Sequence, residues 1–223
     1  MAAFEHDYRL LLVDLPGHYR SPLPAGALTV DAMADDVATL LARLHEPPAH
    51  VVGLSLGGCV ALAVALRAPE RVRSLTLVNT CARLRPASVR AALRLGLRLA
   101  LLVAAPMSTV AALVARGLFP RPEQAALCEA AARSLARTSR RAYVAGLRAL
   151  ASFDMRAALE HVRCPTLVVA GADDATVGLD LKETLAHTIA GSRWVIVPGS
   201  GHATNADQPT AFNATLRDFI LAR

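Results

Sequence analysis

Short apolar runs alternate with longer amphipathic stretches along much of the chain. The apolar runs are rich in Val and Leu and predict buried strands at residues 8–14, 50–54, 72–79, 164–170 and 193–197. The amphipathic or apolar stretches between them predict helices at residues 30–44, 56–66, 179–189 and 208–222. Thr29 is placed to cap the first of these helices. This alternation predicts an α/β fold with a mostly parallel sheet and helices on both faces.

One long stretch, residues 81–162, contains no strand signal. It is rich in Ala, Leu and Arg, and Pro86, Pro106 and Pro120 interrupt it, which predicts several short helices. We interpret it as a helical cap inserted into the core. The expected domains are therefore a first core part (1–80), the cap (81–162) and a second core part (163–223). Three arginines of the cap share one helix face, which we interpret as solvated rather than as an anion site: Arg90, Arg94 and Arg98.

The motif around Ser55 carries the clearest chemical signal. Gly53-Leu-Ser-Leu-Gly57 stands between a predicted strand and a predicted helix, and it fits the G-x-S-x-G pattern of a nucleophile elbow. At such a turn the serine is strained and points outward, and the residues two before and two after it come very close together. Only small side chains are expected to fit there, which Gly53 and Gly57 supply, and Gly58 continues the close approach. The Leu56 amide would open the helix and face a developing oxyanion. An ordinary glycine-rich turn is the alternative, which the flanking strand and helix disfavour.

Two further candidate groups follow later predicted strands. Gly171-Ala-Asp-Asp174 follows the strand at 164–170, and Gly199-Ser-Gly-His202 follows the strand at 193–197. Serine, carboxylate and histidine thus occur in the chain order that is typical of one hydrolase fold.

On these motifs, together with Asp14-Leu-Pro-Gly-His18 and Pro69-Glu-Arg-Val72, the sequence resembles the α/β-hydrolases, and among them the esterases and enol-lactonases. The resemblance covers the sheet regions and not the cap. It implies a serine hydrolase that cleaves a carboxylic ester or lactone through an acyl-enzyme, without a cofactor or metal. Ser55 would be the nucleophile, His202 the base and Asp174 the acid, with Asp173 as the fallback, and the Leu56 amide would be an oxyanion donor. His18 would brace its own loop.

Two departures from the family pattern qualify this expectation. Tyr19 stands where the family commonly has glycine, and it fits only if the backbone there avoids positive φ. The family also has strands and a His-Gly loop before the strand at 8–14, whereas residues 1–7 match only the end of the helix that precedes this strand. One of these strands would lie centrally in the sheet, and the loop would give a second oxyanion donor, whose loss typically costs about 10²–10³-fold in rate. Either a start site placed too far downstream or a true N-terminal truncation would explain the difference. The alternative function is therefore that of a non-catalytic, N-terminally truncated hydrolase fold that binds a ligand or partner.

Composition narrows the remaining possibilities for binding partners and cellular location. The net charge is +6, but Lys182 is the only lysine and the arginines are scattered, so no nucleic-acid site is expected. Four cysteines without ligand spacing predict free thiols in a reducing compartment: Cys59, Cys81, Cys128 and Cys164. The first residues do not resemble a signal peptide, and the uncharged run 99–115 is short and contains Pro106, so we expect a cytoplasmic protein without a membrane span. The oligomeric state is left open.

Overall fold

The computed structural model describes residues 3–84 and 89–222. The predicted break at Pro86 and the side chains of Arg90 and Arg94 lie outside the described residues. The strands of the described region are β1 (Ala49–Leu54), β2 (Val72–Val78), β3 (Thr166–Gly171) and β4 (Arg193–Val197). Its helices are α1 (Val30–Arg43), α2 (Leu56–Arg67), α3 (Val89–Ala104), α4 (Met107–Leu118), α5 (Ala125–Ala136), α6 (Arg140–Ser152), α7 (Leu179–Thr188), α8 (Thr204–Asp207) and α9 (Pro209–Leu221).

The strands form one parallel sheet in the order β1-β2-β3-β4. Leu54 pairs with Val78, Val78 with Val169, and Gly171 with Val197. Because all strands run in the same direction, these pairs place the carboxyl ends of the strands along one edge. The loops after β1, β3 and β4, which carry the predicted site residues, therefore begin at this edge.

Both faces of the sheet are covered, as the sequence predicts. All six residues of β3 are buried, and their side chains alternate between two hydrophobic clusters. Val168 joins a large cluster that includes Leu62 of α2 and Leu185 of α7. Leu167 joins a smaller cluster that includes Phe219 of α9. Strand β3 is thus buried by helices on both sides, which explains its continuous run of apolar residues.

Local sequence signals account for the start of α1 and for the break between α3 and α4. The Thr29 hydroxyl accepts a hydrogen bond from the Ala32 amide at 3.1 Å and caps α1, as predicted. Pro106 separates α3 from α4, so the uncharged run 99–115 forms parts of two helices. No helix of the described residues is long and apolar enough to cross a membrane.

The helices of the predicted cap, α3 to α6, lie between β2 and β3 in the chain. The two ends of this insertion meet: Arg83 and Asp154 form an isolated antiparallel bridge, and the Met155 amide donates to the Ala82 carbonyl at 2.9 Å. The division of the chain into core and cap domains stays a prediction.

The predicted strand at residues 8–14 is wrong. The structure has no strand there, and β1 is at the edge of the sheet formed by the described residues. Leu10, Leu11, Leu12 and Val13 are exposed, with Leu12 69% exposed. An apolar run becomes a strand only when its backbone groups pair with a neighbouring strand, and none of the described strands pairs with this segment.

The loop after this segment holds Tyr19 in an unfavourable conformation. Its φ is +44°, in the left-handed region, and its side chain is 72% exposed. The expectation that a tyrosine requires a negative φ here is therefore wrong, and the backbone carries strain that glycine would not.

We expect Tyr19→Gly to be more stable than Tyr19→Ala by about 1 kcal/mol, because both variants lack the ring and only alanine keeps the strained Cβ. Urea unfolding of the two variants measures the difference. Equal unfolding free energies would mean that the loop relaxes without strain.

Candidate active site

The turn between β1 and α2 has the geometry of a nucleophile elbow. Ser55 has φ +53° and ψ −118°, a conformation that non-glycine residues rarely adopt. Its amide donates to the Val78 carbonyl at 3.0 Å, which fixes the turn against the end of β2. Strain of this kind is characteristic of residues held for function, and the sequence motif predicted it at this position.

The glycines of the motif are not equivalent. A Cβ on Gly53 would lie 2.2 Å from the Gly57 carbonyl oxygen, and one on Gly58 would lie 2.6 Å from the Thr80 side chain. The predicted need for glycine is confirmed at these two positions. A Cβ on Gly57 would meet nothing within 4 Å, so the prediction is wrong there.

Helix α2 begins at Leu56, directly after the serine. The first amides of a helix have no acceptor within it, and they carry the positive end of the helix dipole. The Leu56 amide is thus available to an anion beside Ser55.

His202 and Asp174 are brought together. His202 Nδ1 lies 3.0 Å from Asp174 Oδ2, and the Asp174 side chain is 0% exposed. Asp174 Oδ1 accepts the amides of Thr176 at 2.8 Å and Val177 at 3.3 Å. The fallback residue Asp173 is 64% exposed and lies 4.0 Å from Arg121. The carboxylate next to the imidazole is therefore that of Asp174 and not that of Asp173.

Opposing effects act on the Asp174 carboxyl. Burial acts to raise its pKa, but the hydrogen bond and charge of His202, together with the charge of Lys182, outweigh burial and lower the pKa below its ordinary value. The carboxylate is therefore ionised at neutral pH, although it is enclosed.

Asn79 and Thr80, directly after β2, connect the serine to the histidine. The Thr80 hydroxyl donates to the Ser55 carbonyl at 2.7 Å, and the Asn79 side-chain amide donates to the His202 carbonyl at 2.7 Å. Two adjacent residues thus hold both backbones at the same strand end. Within the described residues, no hydrogen bond joins the Ser55 hydroxyl to the His202 ring.

The loop that carries His202 is fixed from two sides. Asp207 of α8 accepts the Gly201 amide at 2.6 Å and the Ser200 hydroxyl at 2.9 Å. On the other side, a Cβ on Gly171 would lie 2.1 Å from the Gly201 carbonyl oxygen. Glycine at the end of β3 therefore allows the loop to approach the strand.

Comparison with known proteins agrees with this architecture. The sequence profile of the Alpha/beta hydrolase family matches residues 1–215. The chain belongs to the α/β-hydrolase family. The predicted family, fold and hydrolase character are thereby confirmed.

Several named proteins are similar to this chain in sequence or in structure. Over 230 residues, the chain is 33% identical to "Putative carbamate hydrolase RutD" of Pseudomonas savastanoi pv. phaseolicola, with 100% of this chain and 87% of that protein covered. It is 30% identical to 3-oxoadipate enol-lactonase 2 of Acinetobacter baylyi, with 96% and 79% covered. A crystal structure of a hydrolase from Pseudomonas aeruginosa PA01 superimposes with a TM-score of 0.87 at 34% identity, with 98% and 82% covered.

Within this α/β-hydrolase, the contacts of Asn79 and Lys182 were not predicted from the sequence. The side chains of both residues are buried. A signal for Lys182 was available: it is the single lysine of the chain, and it lies one helical turn before the buried Leu185. Asn79 ends an apolar strand at the edge where the loops meet, with φ +44°, but a terminal asparagine is too common to single out.

His18 and His50 have hydrogen-bond partners of their own, away from Ser55 and His202. His18 Nδ1 lies 3.2 Å from the Pro16 carbonyl, as expected of a residue that braces its loop, and His50 Nδ1 lies 2.7 Å from the Ser74 hydroxyl. The four cysteines are free thiols, and Cys59 and Cys81 are buried. Across residues 3–84 and 89–222, no His, Cys, Asp and Glu side chains form a group of three or more that could hold a metal ion.

We expect Gly53→Ala to lower the free energy of unfolding by about 2 kcal/mol, because the added Cβ collides with backbone. Gly57→Ala is the matched control, two positions past the serine in open space, and we expect it to change stability by less than about 1 kcal/mol. Urea unfolding distinguishes the two variants. Similar losses in both would contradict the close approach at Gly53.

Acid should weaken the contribution of Asp174 to stability. Because its pKa is lower when folded than the ordinary value of 3.8, this contribution is fully present above pH 3.8 and is lost as the pH falls through the folded-state pKa. The unfolding free energies of the wild type and Asp174→Asn should therefore begin to converge only as the pH falls below 3.8. Urea unfolding above and below this pH measures the gap, and a gap independent of pH would contradict the assignment.

Proposed function

We propose that this α/β-hydrolase is a serine hydrolase that cleaves a carboxylic ester or lactone through an acyl-enzyme, with Ser55, His202 and Asp174 as its triad. One observation carries the proposal. A serine with φ +53° at the β1–α2 turn lies at the same edge of the sheet as a histidine whose Nδ1 is 3.0 Å from a buried carboxylate. The same three residue types in the same chain order serve this chemistry in the family fold.

Each residue has a defined role in the proposed reaction. Ser55 Oγ attacks the carbonyl carbon while His202 Nε2 takes its proton, and Asp174 holds the imidazole through Nδ1. The Leu56 amide donates to the oxyanion. The leaving alkoxide takes the proton from His202, which leaves an ester on Ser55. Water then attacks this ester with His202 as base and releases the acid. In a lactone, the leaving alcohol stays part of the product.

The relatives and the composition support an ester or lactone as the substrate. One relative bears an enol-lactonase name and another a carbamate hydrolase name, and attack on an activated carbonyl is common to these reactions. The sequence of the predicted cap is rich in Ala and Leu, and the chain as a whole is highly apolar. We therefore propose a small or medium apolar acyl group. The rival proposal, a non-catalytic fold that binds a ligand or partner, requires that Ser55 be unreactive.

We expect a fluorophosphonate probe to label the purified protein on Ser55, because such probes react with activated serines. Mass spectrometry locates the adduct. Ser55→Ala should remove it, and His202→Ala should slow its formation about 10²-fold or more, because the general base is lost. His187→Ala is the matched control: this histidine is 72% exposed and pairs with Glu183, and its loss should leave the labelling rate unchanged.

A soluble, folded protein that forms no adduct on Ser55 would overturn the proposed activity and support the non-catalytic alternative. If labelling occurs, initial rates on 4-nitrophenyl acetate, butyrate and octanoate, a γ-lactone and a carbamate would define the preferred carbonyl. A carbamate preferred over every ester and lactone would contradict the proposed substrate class.

A further inference from the structure

A buried cation lies beside the proposed acid. Lys182 of α7 is 1% exposed and is among the largest fully buried side chains of the described residues. A lysine is almost never fully buried unless its ammonium is paired. Its surroundings therefore indicate what it does.

The ammonium of Lys182 has three acceptors, one for each of its N–H groups. Nζ lies 3.0 Å from Asp174 Oδ2, 3.1 Å from Asn79 Oδ1 and 3.4 Å from the Gly171 carbonyl. These acceptors belong to the acid, to the residue that holds the His202 backbone, and to the end of β3. All three N–H groups are thus satisfied by atoms that define the site.

Asp174 Oδ2 is shared by two donors. His202 Nδ1 and Lys182 Nζ each lie 3.0 Å from this oxygen, whereas Oδ1 is engaged by backbone amides. When the imidazole is neutral, the carboxylate and the ammonium balance each other. Protonation of the imidazole brings a second positive charge close to the Lys182 ammonium, because both groups lie beside the same carboxylate oxygen. In a region of low dielectric, the repulsion between the two cations costs free energy.

The other ionisable groups near this pair do not replace Lys182. A hydrogen bond to Cys59, followed by burial, raises the pKa of the Cys81 thiol near the ammonium well above its ordinary value, so this thiol is neutral. Asp207 of α8 is engaged by the loop backbone, and Asp173 is exposed toward Arg121. Burial lowers the pKa of Lys182 itself, and the charge of Asp174 acts in the opposite direction.

We infer that Lys182 is a positioning residue that holds the Asp174 carboxylate against His202 and extends the activity of the site to lower pH than an aspartate–histidine pair alone would allow. The inference rests on the proposed function for its catalytic consequence. Its electrostatic consequence, the protonation of the His202 ring, is measurable without any substrate.

The test uses Lys182→Met, which keeps a long apolar side chain and removes the charge. The ¹H NMR signal of the His202 ring C2–H, assigned by its absence in His202→Ala, follows proton uptake between pH 4 and 8. We expect the midpoint to rise by about one pH unit in Lys182→Met. If the wild type hydrolyses esters, the acid limb of its kcat/KM profile should shift by the same amount.

The matched control is Arg163→Met, which removes one positive charge at an exposed position just before β3, at the opposite end of the strand from Asp174. We expect no displacement of either midpoint in this variant. If Lys182→Met does not fold, Lys182→Gln takes its place, because its amide can still donate to the carboxylate.

If the His202 ring takes up its proton at the same pH in the wild type and in Lys182→Met, the inference is overturned and the proposed function still stands. A wild type without an adduct on Ser55 would overturn the proposed function, while the NMR midpoint would still decide the role of Lys182. If neither neutral variant folds, Lys182 serves only stability and the inference fails.

Discussion

The arrangement of the candidate site depends on the hydrogen bonds of one buried side chain, that of Asn79. Its amide nitrogen, with two N–H groups, lies within hydrogen-bond distance of the Gly201 and His202 carbonyls and the Thr204 hydroxyl. Its oxygen accepts from the Gly171 amide and from Lys182. One side chain therefore ties the end of β2 to β3, to α7 and to the His202 loop. A buried donor or acceptor left without a partner costs about 1–3 kcal/mol. A displacement of these elements would leave several such groups unpaired at once, and it is therefore strongly disfavoured. The loops meet at the sheet edge because their backbone groups have their partners there.

The burial of the Asp174 carboxylate creates an electrostatic constraint. A carboxylate that is 0% exposed loses its hydration, and a lone imidazole supplies a compensating charge only when it is protonated. The ammonium of Lys182 supplies a positive charge that does not depend on the imidazole, at the cost of burying a second ion. Such a pair contributes little net stability, because desolvation of both ions offsets their attraction. Its consequence is instead geometric and electrostatic, since it fixes one oxygen and biases the protonation of the group on its other side.

Local pattern sufficed for most of the fold because the relevant constraints are local. The predicted bounds of β4 are those observed, and the predicted α1 extends one residue beyond its observed end at Arg43, because strand burial and helix capping are encoded by neighbouring residues. The strained Ser55 was predictable for the same reason. The contact between Asn79 and Lys182 was not, because it joins residues separated by 103 positions in the chain. The need for glycine at 53 but not at 57 also depends on which way each Cβ points, and a motif does not specify this.

Residues 8–14 show the limit of predicting strands from the local sequence alone. This segment and β2 carry similar apolar runs, yet only β2 is a strand, and it is paired on both sides by β1 and β3. A helix satisfies its backbone groups internally, so its pattern alone can predict it. A strand satisfies them only across a gap to another strand, so the same pattern predicts a strand only where a neighbour is available. The exposed leucines at 10, 11 and 12 are the result of a strand-like sequence without such a neighbour in the described structure. The error therefore lies in the pairing and not in the hydrophobic pattern, and a pattern can determine strand position only together with sheet order.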